Sequence, residues 1–106
     1  MVTLNTDSTH PMLSFASMLA FSNDAFIGGA AGDGAIQLFP GGMPYQGSIT
    51  LTDQHVWDAG TEMNDELADH VPALGGMGGV DEGGVIHGPH SGIMGIGDVP
   101  LDRDWI

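Results

Sequence analysis

Apolar and polar positions alternate along this chain in short runs. The longest apolar-rich stretch, Met12 to Phe21, carries Ser14 and Ser17. It is well below the ~18–20 apolar residues a membrane-spanning helix needs. Taken with a period of two, Leu13, Phe15, Ser17, Leu19 and Phe21 share one face. Met12, Ser14, Ala16, Met18 and Ala20 share the other. A period of 3.6 also gives a stripe, of Met12, Phe15, Ala16 and Leu19, so periodicity alone leaves both readings open. No capping box precedes the run, which favours a strand over residues 11–21.

Further strands are expected at 34–39 (GAIQLF), closed by Pro40-Gly41-Gly42, and at 47–52 (GSITLT). The second has the cleanest alternation in the chain, with Ile49 and Leu51 opposite Ser48, Thr50 and Thr52. The segments 84–87 (GVIH) and 92–96 (GIMGI) read as glycine-broken strands, and 99–106 as an edge strand. One short helix is expected near 64–70. Asn64 can cap it, Asp65 and Glu66 suit its first turn, and His70 lies near its end, before Pro72. Leu74 to Gly84 holds six glycines in eleven residues and reads as a loop or flexible lid. The pattern predicts an all-β fold, a sandwich with long acidic and Gly-rich loops. Leu13, Phe15, Leu19, Phe21, Ile49, Leu51 and Trp57 are its expected core. Five or six short strands are few for a closed sandwich, so the chain reads as incomplete, with strands supplied by another segment.

Composition narrows the function. At 106 residues the chain is one domain, burying about two-thirds of its unfolded surface. Fourteen acids face a single basic residue, Arg103, for a net charge of −13. Such a chain repels nucleic-acid phosphates and anionic lipid and attracts cations. With 18 Gly and 6 Pro it approaches low-complexity composition, but 42% hydrophobic residues argue for order. There is no cysteine, which excludes disulfides and thiolate metal sites. The N-terminal MVTLNTDSTHPM has no basic region and no apolar core, so it does not read as a secretory signal. The lack of Lys, the acidity and the polar loops point to an extracellular, secreted protein whose signal has been removed.

The sharpest chemical cluster is D-A-G-T-E-M-N-D-E, Asp58 to Glu66. Asp58, Glu62, Asn64, Asp65 and Glu66 all offer oxygen, the ligand atom calcium takes. Gly60 permits a turn tight enough to bring Asp58 and Glu62 together. The same residues would equally serve as a solvated acidic loop with Asn64 as a cap. Ser22-Asn23-Asp24 reads as an Asx-turn ending the first strand. His87 and His90 form H-x-x-H, a weak zinc or copper pattern, since a Gly/Pro loop does not hold both rings towards one point.

Taken in order, PMLSFASMLAFSNDAFIG, WDAGTEMNDE, VIHGPHSGIMGIGD and DRDW resemble bacterial spondin-domain proteins, related to the N-terminal domain of F-spondin and mindin. The resemblance covers roughly residues 10 to 105. It implies a C2-like antiparallel β-sandwich with calcium held by loops at one end. It also implies that the metal's side-chain ligands are Asp24, Asp58 and Glu62. Family members have further strands before Thr9-His10 and one more after the D-W pair. Residues 1–9 therefore read as an extended segment able to act as a donor strand, and 10–106 as the spondin-like domain.

The sequence thus predicts a secreted, calcium-binding structural module. Its copies would assemble into an extracellular fibre by strand complementation. A monomeric adhesion module that binds matrix or cell-surface glycans is the alternative. No G-x-S-x-G, H-E-x-x-H, P-loop or G-x-G-x-x-G motif supports an enzyme. An acid-dependent hydrolase using Asp58 and Glu62 would need those acids in a pocket with no metal between them.

Overall fold

The computed structural model describes residues 1–29 and 35–103. Its strands are β1 (Met12–Leu13), β2 (Ala16–Met18), β3 (Ala25–Gly28), β4 (Ile36–Gln37) and β5 (Val56–Asp58). They form two small antiparallel sheets, β1–β4 and β2–β3–β5. The helical elements among the described residues are single 3₁₀ turns at Pro40–Gly42, Asp53–His55 and Pro72–Leu74. None is long and apolar enough to cross a membrane. The chain is β in character, as the pattern predicts.

The 11–21 run is strand, not helix, and period two describes it. Leu13, Phe15 and Phe21 are half-buried and Leu19 is buried, while Met12, Ser14, Ala16, Met18 and Ala20 are exposed. The run breaks into β1 and β2 because its partner strand changes register. Ala16 pairs with Gly28, whereas Leu13 pairs with Ile36. The chain thus has five more residues between Gly28 and Ile36 than between Leu13 and Ala16.

β2 and β3 are joined by a tight turn. The Ser22 amide and hydroxyl both donate to the Leu19 carbonyl, at 3.1 and 2.6 Å, and the Ala25 amide donates to the Ser22 hydroxyl at 3.0 Å. β5 adds on the other side of β3, with Phe26 opposite Trp57. The core between them is small. Leu19, Ala25 and Val56 form it, with Ile27 packed alongside, and Val71 and Val99 are the other buried apolar side chains.

Several expectations need correction. Residues 47–52 form no strand, and Ile49 is 46% exposed rather than core. The 84–87 segment contributes only one bridge, His87 to Asp58, and 92–96 forms no strand. Residues 99–103 are not strand, while 104–106, with Trp105, lie outside the described residues. The helix at 64–70 is absent because Glu66 sits at φ 57°, in the left-handed region that ends a right-handed helix. Trp57 and Leu51 are half-buried.

Large apolar side chains on the surface far outnumber the core. Met1, Val2, Leu4, Met43, Tyr45, Ile49, Met77, Val85, Ile86, Ile96 and Leu101 are among them. The radius of gyration, 16.1 Å, exceeds the ~13 Å of a compact chain this long. Both observations describe a fold that leaves much of its apolar surface uncovered.

Candidate functional site

The site begins at the β2–β3 turn. Turns normally lie open to water, but Ser22, Asn23 and Asp24 are buried at 6, 3 and 8% exposure. The acidic loop 58–66 covers them. One Asp24 oxygen, Oδ2, accepts three hydrogen bonds, from the Thr61 amide (2.7 Å), the Thr61 hydroxyl (2.9 Å) and the Glu62 amide (2.9 Å). Asn23 reaches the far end of the same loop. Its carbonyl accepts the Glu66 amide at 3.1 Å and its amide donates to Asp65 at 3.0 Å. The Asn-Asp pair therefore does more than end a strand, since its side chains organise a segment forty residues away.

Gly60 makes the loop's sharp turn at φ 70°. Its amide donates to Asp58 Oδ1 at 2.7 Å. A Cβ at Gly60 would lie 2.5 Å from the Val85 carbonyl oxygen, so only glycine fits. The 74–84 stretch lies across the loop: the Met63 amide bonds Val80, the Glu82 amide bonds Thr61, and Glu62 bridges Asp81. Its glycines permit that approach. A Cβ on Gly79 would come within 2.9 Å of Glu62 Oε2.

The three expected ligands fall into two groups. Asp24 and the 61–62 backbone meet directly, and Glu62 lies beside the glycine-rich stretch. Asp58, 3% exposed, turns towards Asn64, whose amide donates to its Oδ2, and towards two imidazoles. His87 Nε2 and His90 Nε2 lie 3.7 and 3.8 Å from that same oxygen. Among the described residues, no three His, Asp or Glu side chains are already arranged to hold a metal.

Two atoms nevertheless fit a cation. Asp24 Oδ1 and Glu62 Oε2 are buried and accept no hydrogen bond. A buried carboxylate oxygen with no partner is costly, and a hard cation supplies what it lacks.

The histidines do not fit a transition metal. The Nδ1–H of His87 donates to the Val85 carbonyl at 2.9 Å, leaving a lone pair on Nε2. His90 is the reverse. Its Nδ1 accepts the Gly92 amide at 3.0 Å, so the neutral ring carries its proton on Nε2, facing Asn64 Oδ1 at 3.3 Å. The Val85 carbonyl and then the Asp58 charge raise the His87 pKa above 6.5. Burial pushes His90 below 6.5, against the pull of Asp58.

Glu66 was expected only as a loop oxygen donor or first-turn acid, yet it is one of the most connected side chains. It is 6% exposed and receives three backbone amides, from Met94, Gly95 (2.8 Å) and Ile96 (3.1 Å). The glycine content of 92–97 is its only sequence signal, because consecutive amides can converge on one anion where side chains are small. A cleft of about 210 Å³ beside it is lined by Phe21, Ser22, Asn23, Asn64, Glu66, His90, Gly92 and Ile93. Comparison with protein-family models, with curated proteins and with solved structures finds no match for this chain.

Proposed function

We propose that this protein is a secreted, calcium-binding structural module of spondin-like type, a C2-like sandwich completed by association of copies into an extracellular fibre. The observation that carries the reading is the pair of buried, unpartnered oxygens, Asp24 Oδ1 and Glu62 Oε2, at the junction of the β2–β3 turn and the acidic loop. Asp24 and Glu62 would hold the ion, with backbone carbonyls and water completing six to eight oxygens, while Asp58 faces Asn64 and the two histidines. Calcium would supply charge neutralisation and a crosslink between two loops, with no chemical step. The reading draws its self-assembly from the exposed apolar surface, of which Val2 at 84% and Val85 at 78% are examples.

The hydrolase alternative draws no support from the cleft beside Glu66, which Asp58 and Glu62 do not line. The test is size-exclusion chromatography with light scattering, in millimolar calcium and in EDTA. Oligomers that dissociate or loosen in EDTA support the reading. A monomer in both conditions leaves only the adhesion-module alternative.

A further inference from the structure

Residues 47–52 carry the strongest strand pattern in the chain, yet their own fold gives them no partner. The backbone N–H and C=O groups of Ile49, Thr50 and Leu51 make no hydrogen bond among the described residues. The segment is held at both ends. The Tyr45 amide bonds Leu38 at 2.7 Å before it, and the Asp53–His55 turn leads from it into β5. It is thus a β-competent segment that precedes β5 in the chain, with the backbone hydrogen-bonding groups of residues 49–51 free.

The β2 edge of the sheet is free as well, whereas the outer edge of β5 is covered by His87 and His90, whose amides bond Asp58 and Val56. Leu19 bonds Ala25 and Gly29 bonds Phe15, so the backbone groups of the odd residues of this strand face β3. Alternation then turns the N–H and C=O groups of Ala16 and Met18 outward. Neither residue has a hydrogen-bond partner on that side, and all three residues of β2 are exposed. The sheet order β2–β3–β5 puts β2 at the edge away from β5, the strand that residues 47–52 precede in the chain.

Charge selects the same two segments. At −13, two copies repel over most of their surfaces. Residues 8–23 and 34–52 contain no Asp or Glu and are the two longest acid-free stretches of the chain, ahead of 83–97, so two copies can meet there without opposing carboxylates.

We infer that residues 47–52 of one copy add as a strand to the β2 edge, Ala16–Met18, of the next. This rests on the self-assembly reading above, and it assigns the contact to an internal segment in place of the N-terminal arm, residues 1–9. Because donor and acceptor are different segments of the chain, the contact is head-to-tail and propagates as an open fibre unless its rotation closes.

The chain has no cysteine, so introduced thiols report cleanly. A tagged Ala16→Cys chain and an untagged Thr50→Cys chain are mixed in millimolar calcium with a short bismaleimide, and light scattering is run on Thr50→Pro and Ile49→Asp. Proline removes an amide that the folded chain does not use, and an unfolding midpoint equal to the parent monomer's shows that each variant folds. The result expected is a covalent heterodimer through positions 16 and 50, and loss of association in both variants. Association that survives both variants but is lost on deleting residues 1–9 overturns this assignment and leaves self-assembly standing. Absence of the 16–50 heterodimer in a mixture that light scattering shows to be associated also overturns it. A parent chain that stays monomeric at every concentration overturns the assignment and the self-assembly reading together.

Discussion

Glu66→Gln exchanges one oxygen for an amide nitrogen and leaves shape nearly unchanged. The native carboxylate takes the amides of Gly95 and Ile96 on Oε2 and that of Met94 on Oε1. Glutamine can keep two of these on its remaining oxygen. Its NH₂ then faces the third N–H, so one charge-assisted bond, about 1.5–3 kcal/mol, is lost and a donor is left without an acceptor. The other two weaken as the charge disappears. The sum is about 2–4 kcal/mol, a large part of the ~5–15 kcal/mol that stabilises a domain. It should lower the melting temperature on the order of 10–20 °C. The left-handed φ of Glu66 is the same in both proteins, so backbone strain cancels. Thermal unfolding gives the total, and hydrogen exchange localises it to the amides of 94–96. An unchanged midpoint with those amides still protected would refute the idea that this carboxylate tethers the 92–98 segment.

The remaining expectations cover packing and ionisation. Val56→Ala, at a fully buried position of β5, should cost about 2 kcal/mol in denaturant unfolding, from two lost methyl groups and the space they leave. Gly88→Ala should destabilise measurably, since a Cβ there would lie 2.6 Å from Cε3 of the Trp57 ring; retention of the parent midpoint would mean that the ring moves freely. In an NMR titration His87 should titrate above 6.5 and His90 below it. The linkage signs are opposite. His87 contributes stability fully present below 6.5 and lost as pH rises through its folded value. His90 contributes stability present above 6.5 and lost as pH falls through its own. His90→Gln should therefore flatten the acid side of the stability profile, and an unaltered profile would contradict the assignment.

The parts of the fold legible in the sequence are those set by neighbours in the chain. The 11–21 run alternates and is free of charge, so its face could be assigned, and burial of Leu19 with exposure of Met18 follows. Gly60 was legible because a D-A-G-T-E turn needs positive φ. Residues 47–52 show the limit. Their alternation is better than that of β2, but a strand needs a partner edge, and none among the described residues reaches them. Glu66 shows the second limit. Its position beside Asn64 and Asp65 suits a helix start, yet amides 28–30 residues downstream and the Asn23 side chain outweigh that local preference. The role of Asn23 was hidden for the same reason, since an Asx-turn and a long-range clamp look alike in sequence. Asp58 and Glu62 are legible as oxygen donors of the acidic cluster, Asp24 joins them through the resemblance, and the fold brings Asp24 to the Glu62 backbone while turning Asp58 towards His87 and His90.

The central claim is a calcium ion shared by the β2–β3 turn and the acidic loop. Thermal unfolding of the full chain in EDTA and in about 1 mM calcium tests it most directly. At a dissociation constant of about 10⁻⁵ M the ion would add roughly 2.7 kcal/mol. The account predicts a melting temperature that rises by several degrees or more with calcium, and a rise that disappears in both Asp24→Asn and Glu62→Gln. A melting temperature that calcium and EDTA leave unmoved would contradict it.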